Sequence, residues 1–377
     1  MVKELNSDAL FLPFMQIPTG HHHVADSLME DLHNFNKEIS SGKVDILSYS
    51  YGKMERVVSS TYLTSIKLFP HIYNRIYDHL AYKNATKRIR HIHYEMLFTY
   101  FFKRLLKGNE PAILFCTHCL PSNLAGVLKQ KRQLNAITVN VYTDYFVNRV
   151  WGIEGIDYHF VPSVLVKKFL RSLGVEEEKI FITGIPVHAV FHERTRLSTK
   201  NKNHAVLVTG GSLGVGAMEE LLPDPASDNQ LHYYILCGKN EALYSRLLRE
   251  KNPSVTPIPF INRKEEMNRL YDKVDAVVTK PGGVTISECL MKRKPIFICH
   301  ALPGQEIVNA KQLKQLGLIN TLRTRESIED QITGFLNDSA RKKAYEDKVE
   351  EYHKNLENKS MIELLEEILC FSKIKEH

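Results

Sequence analysis

Residues 276–288 read AVVTKPGGVTISE, and in them a short apolar run passes through a glycine turn directly into a helical pattern. A buried strand followed by a turn and a helix is the building unit of a parallel sheet. Gly282 and Gly283 let the backbone come close to a phosphate, and the helix N-terminus that follows offers N–H groups and the positive end of its dipole. Glu288 lies about one and a half turns inside the helix, where its carboxylate can accept both ribose hydroxyls, and Lys280 can neutralise diphosphate charge. The stretch predicts a parallel α/β fold with a phosphate and ribose site.

Two further glycine turns follow strands of the second half. The first, TGGSLG at residues 209–214, is neither a P-loop nor a complete G-x-G-x-x-G pattern, and alone it fits a tight strand–helix turn equally well. The second, at residues 303–310, sets Gln305 beside Glu306 at a helix start, which suits a sugar whose neighbouring hydroxyls each need a donor and an acceptor. Three such turns in strand order on one face of one sheet favour a nucleotide-sugar site over three unrelated helix caps.

Apolar β-branched runs alternate with helical patterns along the chain, which predicts parallel sheets with crossover helices. A length of 377 residues predicts two domains. The predicted strands are Ala9–Gln16, Val44–Ser48, Ala112–Cys116, Ile137–Tyr142, Tyr158–Val161, Ile180–Thr183, Ala205–Thr209, Tyr233–Cys237, Ser254–Ile258, Ala276–Thr279 and Pro295–Cys299, and the clearest helical patterns are Ser163–Leu173, Lys264–Tyr271 and Ala340–Phe371.

The domain boundary is expected at the polar stretch 193–203, which has the composition of a linker. We expect two Rossmann-like, doubly wound domains that face a central cleft, because ligands of open α/β sheets bind beyond the carboxyl ends of the strands. Residues 1–192 would form the acceptor- and membrane-binding domain and residues 204–345 the nucleotide-sugar domain. Residues 346–377 are expected to form a C-terminal helix.

The net charge of +7 is concentrated in residues 51–109, which hold eleven Lys or Arg residues against three acids, together with eleven aromatic residues. Aromatic side chains at the headgroup level with cations towards anionic lipid are typical of a membrane-interface binder. Core aromatics and solvated charges remain the alternative for each residue taken singly. Nucleic acid is not favoured, because no motif of that class occurs. The residues expected to contact acceptor or membrane are Gly20, Phe69, Tyr73, Arg75, Tyr77, Lys83 and Trp151.

No stretch approaches the ~18 apolar residues of a membrane span, and the apolar run Ala9–Pro18 is interpreted as a buried strand of a cytoplasmic protein rather than a signal peptide. The six scattered cysteines favour reduced thiols. Residues 116–119 read CTHC, half of a zinc site without a second C-x-x-C, so His118 is instead expected to line the acceptor pocket. The triple histidine 21–23 lacks a complementary ligand set, and no metal is expected.

The run TKPGG…SE at 279–288, followed by PGQE…NA at 303–310, resembles the processive diacylglycerol glucosyltransferases and monogalactosyldiacylglycerol synthases. These are GT-B enzymes related to the N-acetylglucosaminyltransferase that makes lipid II. The resemblance covers most of the chain and includes Thr143-Asp144 with Trp151, TGIPV at 183–187 and CGKN at 237–240.

This resemblance implies a UDP-sugar in the C-terminal domain, as a co-substrate without any cofactor. It implies that the backbone at Phe260 and Ile261 contacts the uracil and that Glu288 contacts the ribose. Gln305 and Glu306 would bind the sugar hydroxyls, and the C-terminal helix would pack back toward the first domain. The diphosphate contacts fall on Gly211, Ser212, Lys280, Gly282, Gly283, Val284 and Thr285.

The catalytic base is expected in the first half. Gly20-His21 matches the end of the family's Gly-x-Gly-His loop, although Pro18 stands where its first glycine is usual and stiffens the loop. An inverting sugar transfer needs a group that accepts the proton of the attacking hydroxyl. His21 is the preferred base, with Asp144 either its partner or the base itself. A capping or surface role for the histidines is the alternative.

The expected function is therefore inverting transfer of a hexose from a UDP-sugar to diacylglycerol or a glycosylated diacylglycerol. The expected location is the inner face of the cell membrane, with peripheral attachment to its anionic surface. A polyprenyl or soluble small-molecule acceptor remains open. So do a UDP-sugar 2-epimerase and a UDP-sugar sensor that has lost its base.

Overall fold

The computed structural model describes residues 7–14, 20–52, 92–193, 204–210, 230–302, 304–323 and 325–374. The chain divides into two compact units. Unit 1 comprises Met1–Pro186 and Asn355–His377, and unit 2 comprises Val187–Lys354. The predicted residues Phe69, Tyr73, Arg75, Tyr77 and Lys83, together with Gly211 and Ser212, lie outside the described ranges.

In the described part of unit 1, six parallel strands form one sheet in the order β2-β1-β3-β4-β5-β6. The order reverses between β1 and β3, so this pair is the topological switch point at which ligands of open α/β sheets bind. The strands are β1 (Ala9–Leu12), β2 (Ser41–Lys43), β3 (Ile113–Cys116), β4 (Ile137–Val141), β5 (Tyr158–Val161) and β6 (Ile180–Ile182). The helices are α1 (Gly20–Phe35), α2 (Ile46–Tyr51), α3 (Ile92–Asn109), α4 (Cys119–Gln130), α5 (Val164–Ser172) and, from the C-terminus, α12 (Met361–Ile374).

The described part of unit 2 contains a second parallel sheet of six strands, in the order β12-β11-β10-β7-β8-β9. Its switch point lies between β7 and β10. The strands are β7 (His204–Thr209), β8 (Leu231–Gly238), β9 (Val255–Pro259), β10 (Ala276–Thr279), β11 (Ile296–Ile298) and β12 (Asn320–Thr321). The helices are α6 (Glu241–Glu250), α7 (Lys264–Lys273), α8 (Gly283–Met291), α9 (Gln305–Gln315), α10 (Ile328–Asn337) and α11 (Ser339–Lys354).

The neighbouring central strands β1 and β3 are apolar throughout because helices cover both faces of a parallel sheet. All four residues of β1 are fully buried, and the rings of Phe11 and Phe115 stack 4.6 Å apart between β1 and β3. Burial of each such side chain contributes about 1.5–3 kcal/mol. Because these strands are rigid, they fix the positions of the loops that begin at the carboxyl edge of the sheet. The α/β prediction of two Rossmann-like parallel sheets is confirmed.

The predicted strand Val44–Ser48 is wrong. The strand is Ser41–Lys43, and helix α2 begins at Ile46. The cause is Asp45, whose carboxylate accepts a hydrogen bond from the N–H of Leu47 at 2.9 Å and caps the helix. The apolar composition alone did not distinguish a buried helix turn from a strand.

The C-terminal pattern is two helices rather than the predicted single one. Between α11 and α12, Ser360 and Glu363 form a capping box: the N–H of Glu363 donates to Ser360 Oγ at 3.2 Å, and the N–H of Ser360 donates to Glu363 Oε2 at 2.6 Å. The Ser-x-x-Glu spacing was the signal for this helix start. Helix α12 packs against α1 within unit 1.

None of the described helices combines the length and the hydrophobicity needed to cross a bilayer.

Gly152 should tolerate no larger residue. A Cβ atom at this position would lie 2.3 Å from the backbone oxygen of Ser122, and Gly152 also exchanges two hydrogen bonds with Ser122 Oγ. We expect Gly152→Ala to lower the free energy of unfolding by about 1–3 kcal/mol, as overpacking does. Urea unfolding followed by the fluorescence of the adjacent Trp151, the only tryptophan, reports the change.

The matched control is Gly334→Ala in the interior of α10, where an added Cβ meets nothing within 4 Å. This change should stabilise by about 0.5–1 kcal/mol when followed by circular dichroism. Equal stability of Gly152→Ala and the wild type would contradict the packing described here.

Candidate functional site

The loops that leave β7 and β10 start side by side in unit 2. Thr209 pairs with Thr279 at the ends of these strands, so the loop after Thr209 and the turn at residues 280–282 leave the same edge at the switch point. The described part of the first loop ends at Gly210. The site is therefore built here from the second turn and the helix that follows it.

Helix α8 begins at the glycine turn without a side-chain cap. Gly282 is its N-cap residue, with φ −82° and ψ 136°, and a glycine has no side chain that could accept from the first-turn N–H groups. The first turn consists of Gly283, Val284 and Thr285. Backbone donors at such a helix start can bind an anion, which the helix dipole favours further. Half-buried Lys280 is the first residue of this turn.

The space at Gly282 is open. A Cβ atom built there meets nothing within 4 Å among the described atoms, and the φ angle is one that any residue adopts. Neither the backbone conformation nor packing against the described residues therefore requires glycine at this position. A ligand that approaches the backbone closely is a reason for glycine that fits both facts. From the other side, the amide of Asn309 on α9 donates to the carbonyl of Pro281 at 3.1 Å and fixes the turn.

Glu288 is buried behind this turn and is held by a residue that the sequence did not single out. The hydroxyl of Tyr271, fully buried on α7, donates to Glu288 Oε2 at 2.9 Å. Burial raises the pKa of Glu288, while nearby Lys264 and the Tyr271 bond act in the opposite direction. The ring of Tyr271 in turn packs edge-on against Phe191, at 5.8 Å between centroids. The carboxylate of Glu288 is thus held in one position, and its ionised form lowers the stability of the fold.

The remaining residues that were predicted to contact the nucleotide-sugar lie in two other loops of unit 2. Gly304, at φ 90°, precedes α9, where Gln305 is exposed and Glu306 Oε2 accepts from the N–H of Leu302 at 2.6 Å. One oxygen of Glu306 therefore stabilises its own turn. After the edge strand β9, Phe260 is 46% exposed beside half-buried Ile261. Lys239 Nζ lies 5.7 Å from the centre of the Phe260 ring.

In unit 1, the loops after β1, β3 and β4 are joined through His21. Its Nδ1–H donates to the carbonyl oxygen of Thr117 at 2.8 Å, and the hydroxyl oxygen of Thr143 lies 2.9 Å from the same nitrogen. Because a carbonyl only accepts, the proton is on Nδ1 and the lone pair is on Nε2. Burial lowers the pKa of His21 to about 4, a shift that the Thr117 bond opposes and that neighbouring His22 increases. A neutral imidazole with a fixed tautomer is the form that a general base requires.

Asp144 is half-buried and lies near the start of α4. Burial raises the pKa of Cys119 to about 12, and the charge of Asp144 contributes to that shift. The partners of His21 Nδ1 are Thr117 and Thr143, to which sequence reasoning assigned no role at His21, although both lie in motifs that it quoted. No local sequence pattern predicts that a backbone carbonyl and a hydroxyl orient the imidazole of His21.

Gly20 is the first residue of α1, directly before His21. Trp151 is half-buried and packs on fully buried Tyr142, at 4.6 Å between ring centroids. Within the described ranges, His, Cys, Asp and Glu form no group of three that could hold a metal ion.

Two families match adjoining parts of the chain. Residues 21–187 match Monogalactosyldiacylglycerol (MGDG) synthase, and residues 205–365 match the glycosyltransferase family 28 C-terminal domain. YkoN of Bacillus subtilis (strain 168), described as an uncharacterized glycosyltransferase, is 41% identical over 96% of each chain. A processive diacylglycerol beta-glucosyltransferase of Bacillus cereus (strain AH187) is 30% identical over 63% of each chain, which is less than two thirds of that relative.

Among solved structures, MurG of Acinetobacter baumannii superposes with a TM-score of 0.62, covering 96% of this chain and 99% of that one. At 12% identity this likeness shows the fold alone. The fold is that of the two-domain GT-B class. The chain belongs to glycosyltransferase family 28 and is related to the diacylglycerol glucosyltransferases of Bacillus. The resemblance seen in the sequence is confirmed.

The buried carboxylate gives a pH-dependent prediction. The pKa of Glu288 is raised by folding, so its ionisation costs stability. This cost is complete above the folded-state pKa and absent below the unfolded-state value of about 4.3. We expect Glu288→Gln, whose amide oxygen still accepts from Tyr271, to be more stable than the wild type at pH 7–8. The gain should shrink as the pH falls towards 4.5 in a series of urea unfolding curves.

Glu266→Gln on α7 is the control, because Glu266 is exposed. It should show no gain that grows with pH. A Glu288→Gln variant that is less stable than the wild type at pH 7, or whose gain is independent of pH, would contradict the burial argument.

Proposed function

We propose that this glycosyltransferase moves a hexose from a UDP-sugar to a lipid acceptor, diacylglycerol or a glycosylated diacylglycerol, with inversion at the anomeric carbon. The observation that carries the proposal is the uncapped start of α8 at the β7/β10 switch point with Glu288 fixed behind it. An anion-binding helix start next to a positioned carboxylate matches the diphosphate and ribose of a nucleotide-sugar.

In this proposal the donor lies along the carboxyl edge of unit 2. The N–H groups of Gly283, Val284 and Thr285, with Lys280, bind the diphosphate, and Ser212 and Gly211 add to them. Glu288 accepts hydrogen bonds from the ribose hydroxyls. Phe260 and Ile261 contact the uracil, and Gln305 and Glu306 contact the sugar. No metal or other cofactor is required, because the helix start and Lys280 neutralise the leaving diphosphate.

The reaction is a direct displacement. The acceptor hydroxyl oxygen attacks C1 of the sugar, the bond between C1 and the phosphate oxygen breaks, and UDP leaves with the bonding electrons. The hydroxyl proton passes to Nε2 of His21, whose tautomer is fixed by Thr117 and Thr143. One displacement inverts the configuration at C1. Asp144, whose charge acts on Cys119 at the start of α4, is the alternative base in this proposal.

The lipid acceptor is supported by the relatives and by α3. The Bacillus cereus relative is named for diacylglycerol. Among the side chains of α3 that the structure describes, the exposed ones from Ile92 to Tyr100 are apolar (Ile92, Met96, Leu97 and Tyr100), and those of the last two turns are cationic (Lys103, Arg104 and Lys107). Met96 is 78% exposed and Tyr100 68% exposed. Apolar side chains beside cations suit the headgroup region of an anionic membrane, and we propose peripheral attachment to its inner face.

UDP release from a panel of UDP-sugars, with and without anionic vesicles that contain diacylglycerol, tests the reaction. We expect one sugar to give lipid-dependent release and a glycolipid product. His21→Asn keeps an amide donor for Thr117 but removes the base, so it should lower kcat at least ~100-fold. Glu288→Ala should raise the donor KM by about 10- to 100-fold, because it removes the ribose contact.

His33→Asn is the control for the base, because His33 is exposed in the last turn of the same helix. It should keep the wild-type rate. UDP-sugar binding without lipid-dependent release would overturn the lipid acceptor and leave a soluble acceptor, an epimerase or a sensor. Absence of binding to every UDP-sugar would overturn the donor site.

Vesicle binding tests the face of α3 separately. Met96→Glu and Tyr100→Glu place a charge where an apolar side chain would enter the headgroup region, so each should weaken cosedimentation with anionic vesicles about tenfold. Leu248→Glu on α6, a similarly exposed apolar residue of unit 2, is the control and should bind as the wild type does. Unchanged binding of both α3 variants would rule out this face as the membrane surface.

A further inference from the structure

His118 lies at the switch point of unit 1 beside the proposed base, and the proposed reaction does not use it. It follows β3 directly, whereas His21 follows β1, and the two strands are neighbours. The two imidazole rings meet edge to face, with centroids 4.9 Å apart and an interplanar angle of 88°. His118 as a whole residue is half-buried.

One nitrogen of His118 has a structural role. His118 is the N-cap of α4, and its Nδ1 accepts a hydrogen bond from the N–H of Leu120 at 3.1 Å. An accepting Nδ1 carries no proton. Burial lowers the pKa of His118 well below its ordinary value, with His21 adding to the shift, so the ring is neutral at pH 7. The single proton of a neutral ring is then on Nε2.

The ring is held in place from several sides. One side stacks on Phe14 at the end of β1, with centroids 4.5 Å apart and planes 17° apart. Cys119 Sγ lies 3.8 Å from both ring nitrogens, an equal distance that is not the geometry of a directed hydrogen bond to either. The stack and the cap together fix the direction in which the Nε2–H bond points.

Capping alone does not account for a histidine here. Asn, Asp and Ser are the preferred N-cap residues, and each supplies the accepting atom without a second polar nitrogen. The two neighbouring rings are also complementary. His21 presents a lone pair on Nε2, and His118 presents a proton on Nε2. Such a pair suits a ligand with a hydroxyl that donates and a nearby oxygen that accepts.

We propose that His118 is an acceptor-binding residue, whose Nε2–H donates a hydrogen bond to an oxygen of the acceptor next to the hydroxyl that His21 deprotonates. The inference rests on the proposed function. The partner oxygen is either the ester carbonyl of a diacylglycerol or a hydroxyl of a sugar already attached to it. No proton transfer passes through His118, which orients the attacking hydroxyl.

Two substitutions separate the two nitrogens. Asn at this position keeps the capping acceptor near Nδ1 but does not reach the position of Nε2. Gln places an amide N–H near the position of Nε2 but loses the cap. Both variants lose the ring that stacks on Phe14, so we expect His118→Asn, which keeps the cap, to melt higher than His118→Gln. His118→Asn should raise the acceptor KM about tenfold, with the donor KM unchanged. His118→Gln should show the opposite pattern, a lower melting temperature and a nearly normal acceptor KM.

The acceptor panel identifies the partner oxygen. If it is the ester carbonyl, an ether-linked dialkylglycerol should have a raised KM with the wild type and no further increase with His118→Asn. If it is a sugar hydroxyl, His118→Asn should affect the glycosylated acceptor alone. If the role of His118 is purely structural, His118→Gln should lower the activity more than His118→Asn does, and the acceptor and donor KM values should change together. Either result would overturn the proposal.

Histidine ¹⁵N shifts give a readout that needs no activity. His118 should be the Nε2–H tautomer and His21 the Nδ1–H tautomer, with the signals assigned from the single variants. An Nδ1–H tautomer for His118 would overturn this proposal even if lipid-dependent transfer were found. Wild-type protein without lipid-dependent transfer would overturn the proposed function, whatever the tautomers are.

Discussion

Parallel strand pairing is the constraint on which both candidate sites depend. All described strand pairs are parallel, so the carboxyl ends of neighbouring strands share one edge of each sheet. In unit 1 this brings His21 to Thr117 and Thr143, residues 96 and 122 positions away in the sequence. If β3 ran antiparallel, its following loop would leave the opposite edge, and the orienting carbonyl of the imidazole would be lost.

Burial lowers the pKa of the imidazole of His21 and raises the pKa of the carboxyl group of Glu288. It keeps His21 neutral, which is the form that accepts a proton, and it also makes the imidazole a weaker base, because its pKa is lowered to about 4. It makes the ionised form of Glu288 costly, and the Tyr271 bond and the charge of Lys264 only oppose this effect. A carboxylate maintained at such a position against stability is typical of a site that function requires.

The alternation of apolar runs and helical patterns predicted both parallel sheets, because a buried strand and an amphipathic helix have different hydrophobic periods. It failed at Val44–Ser48, where the side chain of Asp45 decided the structure in place of hydrophobicity. The glycine turn and Glu288 could also be predicted from the sequence, since they are marked by residue type and local spacing. Tyr271 was not, because its bond to Glu288 joins two different helices, 17 residues apart, and no sequence period relates the two residues.

Cationic charge and proposed chemistry occupy different places in the described part of unit 1. The groups beside the proposed base are neutral imidazoles and hydroxyls, with the carboxylate of Asp144 near Cys119, whereas cations such as Lys103, Arg104 and Lys107 lie on the exposed face of α3. This separation fits an uncharged lipid acceptor that is bound from an anionic membrane surface. A buried cation at the switch point would need a counter-charge and would lose its hydration, whereas the N–H of His118 meets an ester or hydroxyl oxygen at the cost of an ordinary hydrogen bond. Attachment to the membrane and recognition of the acceptor can then vary independently, the first with ionic strength and the second with the tautomers of two rings.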